Sequence, residues 1–264
     1  MVLELEKVNL NSILKVQTRS EMVLTNQLIR SISNVGSNGR VLFDVLESSE
    51  GGFNGSIWWI STLQQDVSVV LVGNVNCNGI PAALVSGYIL GELNNLENEA
   101  KTLLMPKTIL EHLNKKLIPM FKSSGVTANV WCGVFNYNEK KLIFVSANHA
   151  APFVIGPERQ VSNVFVDDVR KSKPLGVKHE LAFEESCINI SSGSKLVICT
   201  EDLLEKASRI GDKYDPNWLV QVLETIGDLP LHKMCKSLEC ILSENIDGTG
   251  KSAPRLALLL EIPS

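Results

Sequence analysis

The chain has 264 residues, 44% of them hydrophobic, and a formal net charge of -4 from 25 basic and 29 acidic side chains. This size and apolar content suit one large domain with a sizeable core, while the scattered charge offers no basic patch for nucleic acid or an anionic membrane. No apolar run approaches the roughly 20 residues of a membrane span, and the acidic start Met1–Glu6 is unlike a secretory leader. The expected location is therefore cytoplasmic and the default partner another protein. Cys77, Cys132, Cys187, Cys199, Cys235 and Cys240 form no C-x-x-C pair. They are read as buried reduced thiols rather than a zinc site or disulfide framework.

In chain order, apolar residues from Leu5 to Ile32 recur at helical intervals, predicting an N-terminal helical extension over residues 1–38. Asn34–Gly39 is a turn, and the main domain, residues 39–264, opens on a strand near Val41–Leu46. Ser56–Thr62 and Val67–Gly73, separated by Gln64–Asp66, read as an antiparallel hairpin. Pro81 suits the first turn of a helix reaching Leu96, and Pro106 opens a second with Leu110, Leu113 and Leu117 on one side. Ala128–Phe135, Lys141–Ser146 and Pro152–Ile155 are read as three strands of a meander. Strands near Ser186–Ile190 and Lys195–Cys199, helices near Glu201–Ala207, Pro216–Thr225 and Leu231–Leu242, and a last strand Arg255–Glu261 complete an α+β layered domain.

Five motifs then fall in a fixed order: Gly79-Ile-Pro-Ala-Ala-Leu84, Ser146-Ala-Asn-His-Ala-Ala-Pro152, Lys173-Pro-Leu-Gly-Val177, Gly193-Ser-Lys-Leu-Val-Ile-Cys-Thr200, and Cys199-Thr-Glu-Asp-Leu-Leu-Glu205. In this order the chain, from about Val41 to Ile262, resembles the bacterial sporulation and stress-response branch of the PPM (protein phosphatase 2C-like) serine/threonine phosphatases. The resemblance implies an α-β-β-α sandwich of two mainly antiparallel sheets flanked by helices. It also implies a site in which aspartates hold two manganese or magnesium ions and a bridging water attacks a phosphoserine or phosphothreonine.

The residues at the aligned positions do not carry that chemistry. Hard dications need anionic oxygen ligands to offset their charge. The family's Gly-Asp-Phe/Tyr element aligns with Gly51-Gly52-Phe53, so Gly52 stands where the first aspartate belongs. Its Gly-Asp-Val-Ser-Gly-His-Gly element aligns with Gly73–Gly79, which puts Asn74 for aspartate, Cys77 for the metal-proximal glycine and Asn78 for histidine. The third aspartate becomes Glu201, followed by Asp202 in place of glycine, and the closing Asp-Asp pair becomes Ala253-Pro254. Of four carboxylate positions only Glu201 stays acidic. The expectation is a pseudophosphatase with no catalytic residue, no cofactor and no resident metal, its former cleft lined by Asn76, Asn78, His149 and Asp202.

Other readings are weaker. Cys77 with His149 as base would be a nucleophile pair, and a filled metal space is the better account. Asn74, Asn76 and Asn78 alternate, which on an extended chain puts their amides on one face. Gly248–Ser252 lacks the first glycine and following helix of a phosphate-binding loop and reads as a polar hairpin loop, and the mixed charges of Asp167–Lys173 read as solvated surface. By the resemblance, the partner is a STAS-type antagonist, a kinase or another phosphatase of a partner-switching pathway, with self-association through the N-terminal helix. The alternatives are a residual or metal-altered phosphatase and an assembly factor that makes no use of the cleft.

Overall fold

The computed structural model describes residues 42–48, 55–64, 66–99, 105–122, 124–163, 173–201, 203–204, 209–210, 213–214, 217–244 and 255–262. The expected N-terminal extension, the loops around 167–171 and 248–252, and positions Gly52, Asp202, Ala253 and Pro254 lie outside them. So does most of the helix expected near Glu201–Ala207.

Strands β1 (Leu42–Ser48), β2 (Ser56–Gln64) and β3 (Val67–Val75) are followed by helices α1 (Ile80–Glu99) and α2 (Pro106–Phe121). Then come β4 (Ala128–Asn136), β5 (Lys141–Ala147), β6 (Phe153–Ile155), β7 (Val161–Asn163), β8 (Ser186–Asn189) and β9 (Lys195–Cys199). A two-residue hairpin of β10 (Arg209–Ile210) and β11 (Lys213–Tyr214), helices α3 (Trp218–Ile226) and α4 (Leu231–Glu244), and β12 (Arg255–Glu261) close the chain. One sheet has the order β2-β3-β4-β5-β8 and the other β1-β12-β9-β6-β7, with every pairing antiparallel. This is the layered α+β sandwich that the resemblance implies.

Each central strand is apolar on both faces because each face meets a different layer. Trp58, Val70, Val72 and Trp131 point between the sheets, where they meet Leu196, Ile198 and Leu258. Their neighbours Trp59, Val69 and Leu71 point the other way, under Ile89 of α1 and Leu110 and Leu113 of α2. On β12, Leu256, Leu258 and Leu260 enter the inter-sheet layer, while Ala257 and Leu259 pack with Leu223 of α3 and Met234 and Leu238 of α4. Truncating one such residue, Trp59 for instance, is worth about 3–5 kcal/mol. The side chains expected on one side of α2, Leu110, Leu113 and Leu117, are all fully buried, and the helix starts on Pro106 because that residue has no N–H to leave unpaired.

The expected three-strand meander is wrong at its last member. β6 leaves β5 and joins the second sheet, between β9 and β7. The cause is local. Asn148 turns the chain at φ 58°, a left-handed conformation that asparagine tolerates, and a reciprocal pair of hydrogen bonds holds the bend. In that pair the Ser146 hydroxyl donates to His149 O at 2.7 Å and the His149 N–H donates back to Ser146 Oγ at 3.1 Å. The cysteines also divide: Cys132, Cys199 and Cys235 are buried, Cys77 is half-buried, and Cys187 and Cys240 are exposed, so buried thiols account for only half of them. Burial pushes the Cys199 thiol up to about 12 and Cys235 to about 11.

Candidate functional site

The β3–α1 connection is built on glycine. A Cβ on Gly73 would lie 2.4 Å from Asn129 O, and one on Gly55 2.5 Å from Val75 O, so these two positions allow β2, β3 and β4 to close together. The last ladder bonds run from Val75 N–H to Gly55 O and from Asn76 N–H to Thr127 O, both at 2.8 Å. Cys77 N–H then folds back onto Val75 O at 2.8 Å. Gly79, at φ 74°, supplies the left-handed step into α1, and its carbonyl accepts the Ala83 N–H at 3.3 Å.

This turn breaks the expected alternation of amides. The strand ends at Val75, so Asn76 and Asn78 are exposed while Asn74 stays partly buried. Asn74 sits between Ser56 and Asn129 in the sheet. Its Oδ1 is enclosed and accepts no hydrogen bond among the described residues. The neighbouring amide is engaged: Asn148 donates through Nδ2 to Asn129 Oδ1 at 2.9 Å.

His149 is 1% exposed, with Nδ1 2.9 Å from Ala150 O, so the neutral ring carries its proton on Nδ1 and donates it to that carbonyl. Burial raises the Cys77 thiol above its ordinary value, which keeps it protonated and argues against the nucleophile reading. Glu201 is half-buried and directly follows buried Thr200. That threonine stitches β9 to the start of β12: its N–H donates to Leu256 O at 3.0 Å, and its Oγ1 accepts the Leu256 N–H at 3.2 Å.

These pieces share one rim. The pairings Asn74 with Asn129 and Val130 with Ala147 put the ends of β3 and β5 at the same edge of the first sheet. Five residues, 148–152, lead from there to the start of β6, and β6 pairs Phe153 with Val197, next to the end of β9 that leads to Glu201. Among the described residues no group of three or more His, Cys, Asp or Glu side chains gathers that could hold a metal ion.

Sequence reasoning did not find the Asn129–Asn148 amide pair or the role of Asn114. Asn114 lies in α2, only 2% exposed, and its Oδ1 accepts the Gly176 N–H at 2.9 Å while Nδ2 donates to Lys178 O at 2.9 Å. A polar residue beside the stripe Leu110, Leu113 and Leu117 was the available signal. No helix among the described residues is long and apolar enough to cross a membrane.

Comparison with known proteins places this architecture. No curated protein sequence matches the chain. Among solved structures, the SiaA-PP2C domain of Pseudomonas aeruginosa superposes with a TM-score of 0.75 at 13% identity, covering 99% of this chain and 100% of that one. The PP2C phosphatase domain and regulatory-domain fragment of SpoIIE from Bacillus subtilis gives 0.68 at 14% identity, over 85% of this chain and 64% of that one. The RsbU and RsbW domains of a Mycobacterium tuberculosis protein give 0.66 at 16% identity, over 84% and 60%. At such identities the likeness is one of fold. The profile of the family Stage II sporulation protein E (SpoIIE) matches residues 64–251, most of the sequence, and the chain belongs to that family.

Proposed function

We propose that this domain has lost metal-dependent phosphatase chemistry and acts as a regulatory protein-binding module. The observation that carries the reading is Asn74. At the end of β3, where the family motif has an aspartate, it presents a neutral amide. A pair of dications beside a phosphate needs several anionic oxygens, and among the four aligned positions Gly52, Asn74, Glu201 and Ala253 only Glu201 carries charge. The donor set does not fit two manganese or magnesium ions, and no catalytic step is assigned to it. The partner by analogy is a STAS-type antagonist, a kinase or a phosphatase of a partner-switching pathway. Self-association through residues 1–38 and a cytoplasmic setting belong to the same proposal.

Incubation of the full chain with a phosphoserine peptide and manganese tests the reading. Phosphate release at the rate of the protein-free control is expected. Release that needs manganese and stops with chelator overturns it. The second reading, a residual phosphatase holding one cation, draws on the enclosed Asn74 Oδ1, a hard oxygen with no partner among the described residues. Under that reading Asn74→Ala would abolish whatever release is seen.

A further inference from the structure

A cleft of about 410 Å³ lies between the end of α2 and the Pro-Leu-Gly turn, and its Thr127 adjoins the β3–α1 rim through the Asn76 N–H to Thr127 O bond. One wall is Ile118, Phe121 and Lys122 with the chain through Gly125–Thr127, and the other is Gly176–His179. Its volume is at the low end of the roughly 300–1,000 Å³ of ligand pockets.

Both walls are fixed. Gly176, at φ 88°, presses on the Phe121 ring so closely that a Cβ there would lie 2.2 Å from Cδ2. Buried Asn114 holds the turn at the Gly176 N–H and at Lys178 O. The carbonyls ending α2 are occupied: Ile118 O accepts the Lys122 N–H, and Phe121 O accepts the Ser124 and Gly125 N–H groups. A turn anchored in this way displays Val177 at 46% exposure, an apolar side chain left uncovered beside the apolar floor of Ile118 and Phe121.

The rim carries Lys122, Lys178 and His179 and no acidic residue, in a chain whose acids outnumber its bases. The two lysines are exposed and form no ion pair with the described residues. Lys122 comes from the end of α2 and Lys178 from the Pro-Leu-Gly turn, so the cleft takes a positive charge from each of its two lining segments. An extended chain with an apolar residue between acidic ones matches the arrangement.

The geometry points to this cleft as a docking site for an acidic peptide segment of a partner protein, with one apolar side chain against Ile118, Phe121 and Val177 and carboxylates toward Lys122 and Lys178. This deepens the protein-binding reading and rests on it. Pre-formed walls lower the ordering cost of such binding.

The test is an amide NMR titration of the full chain with the acetylated, amidated pentapeptide Asp-Glu-Leu-Asp-Glu, beside a control with serine in place of leucine. Saturable shifts confined to residues 122–127 and 176–179 are expected, with the serine peptide weaker. The exposed pair K122E/K178E leaves the core intact and is expected to weaken the leucine peptide by about tenfold or more, the scale of lost charge pairs. V177S is expected to weaken it as well. Absence of shifts at the cleft, equal binding of the serine peptide, or unchanged affinity in the charge-reversed pair overturns the proposal. Those outcomes leave phosphate release untouched, so failure of the cleft is distinguishable from failure of the pseudophosphatase reading.

Discussion

The Gly176 N–H donates to Asn114 Oδ1 at 2.9 Å, joining the middle of α2 to a turn 62 residues later in the chain. The same amide donates from Nδ2 to Lys178 O, so one buried side chain fixes both ends of the turn. Asn114→Ala removes both bonds and strands the Gly176 donor, a loss of roughly 2 kcal/mol. The expected outcome is a lower urea midpoint with an unchanged m value. An unchanged midpoint at unchanged m would show that the turn does not depend on this amide.

Gly176→Ala meets two penalties, the left-handed backbone at φ 88° and a Cβ placed 2.2 Å from the Phe121 ring. The backbone term alone is about 1–2 kcal/mol, and the contact adds to it. The double variant G176A/F121L is expected to recover the contact part and keep the backbone part. Thermal melts of the single and double variants separate the two. Equal melting temperatures for both would mean that the ring is not the obstacle.

Glu92 of α1 is 9% exposed and lies 3.0 Å from His112 Nε2 and 3.3 Å from Lys116 Nζ, both on α2. The hydrogen bond from His112 is the largest influence holding its carboxyl below the ordinary value, and burial opposes it. Because the folded pKa is depressed, the unfolded chain takes up the proton first on acidification. The contribution is therefore present above the unfolded value near 4.3 and is lost as pH falls through the folded one. Wild type is expected to exceed E92Q by about 1–2 kcal/mol at neutral pH, with the gap closing in the acid limb of a stability profile. A gap that persists unchanged into that limb would contradict the assignment.

The sequence carried the fold well where local rules and layers agreed. Pro81 and Pro106 marked two helix starts, and Gly79 marked the left-handed step before α1. It misplaced β6 because strand patterning says nothing about which sheet a strand joins. That choice was made by Asn148 at positive φ and the Ser146–His149 bonds, a pair of contacts three residues apart. It also put Asn74, Asn76 and Asn78 on one face by assuming an extended chain, whereas Cys77 N–H turns back to Val75 O and ends the alternation. The β3–α1 part of the candidate site was legible because its residues are contiguous. Asn129 beside Asn74, and Asn114 beneath Gly176, depend on strand register and on a contact 62 residues apart, which no local pattern reports.

With Asn74 at the end of β3 and Glu201 after β9, we propose that this family member no longer gathers the charge that a two-metal site requires. Calorimetric titration of manganese into the full chain tests it most directly. Heats no larger than those of dilution are expected, with the same trace for wild type and for Asn74→Ala. Saturable binding of two ions per chain, lost in Asn74→Ala, would contradict it.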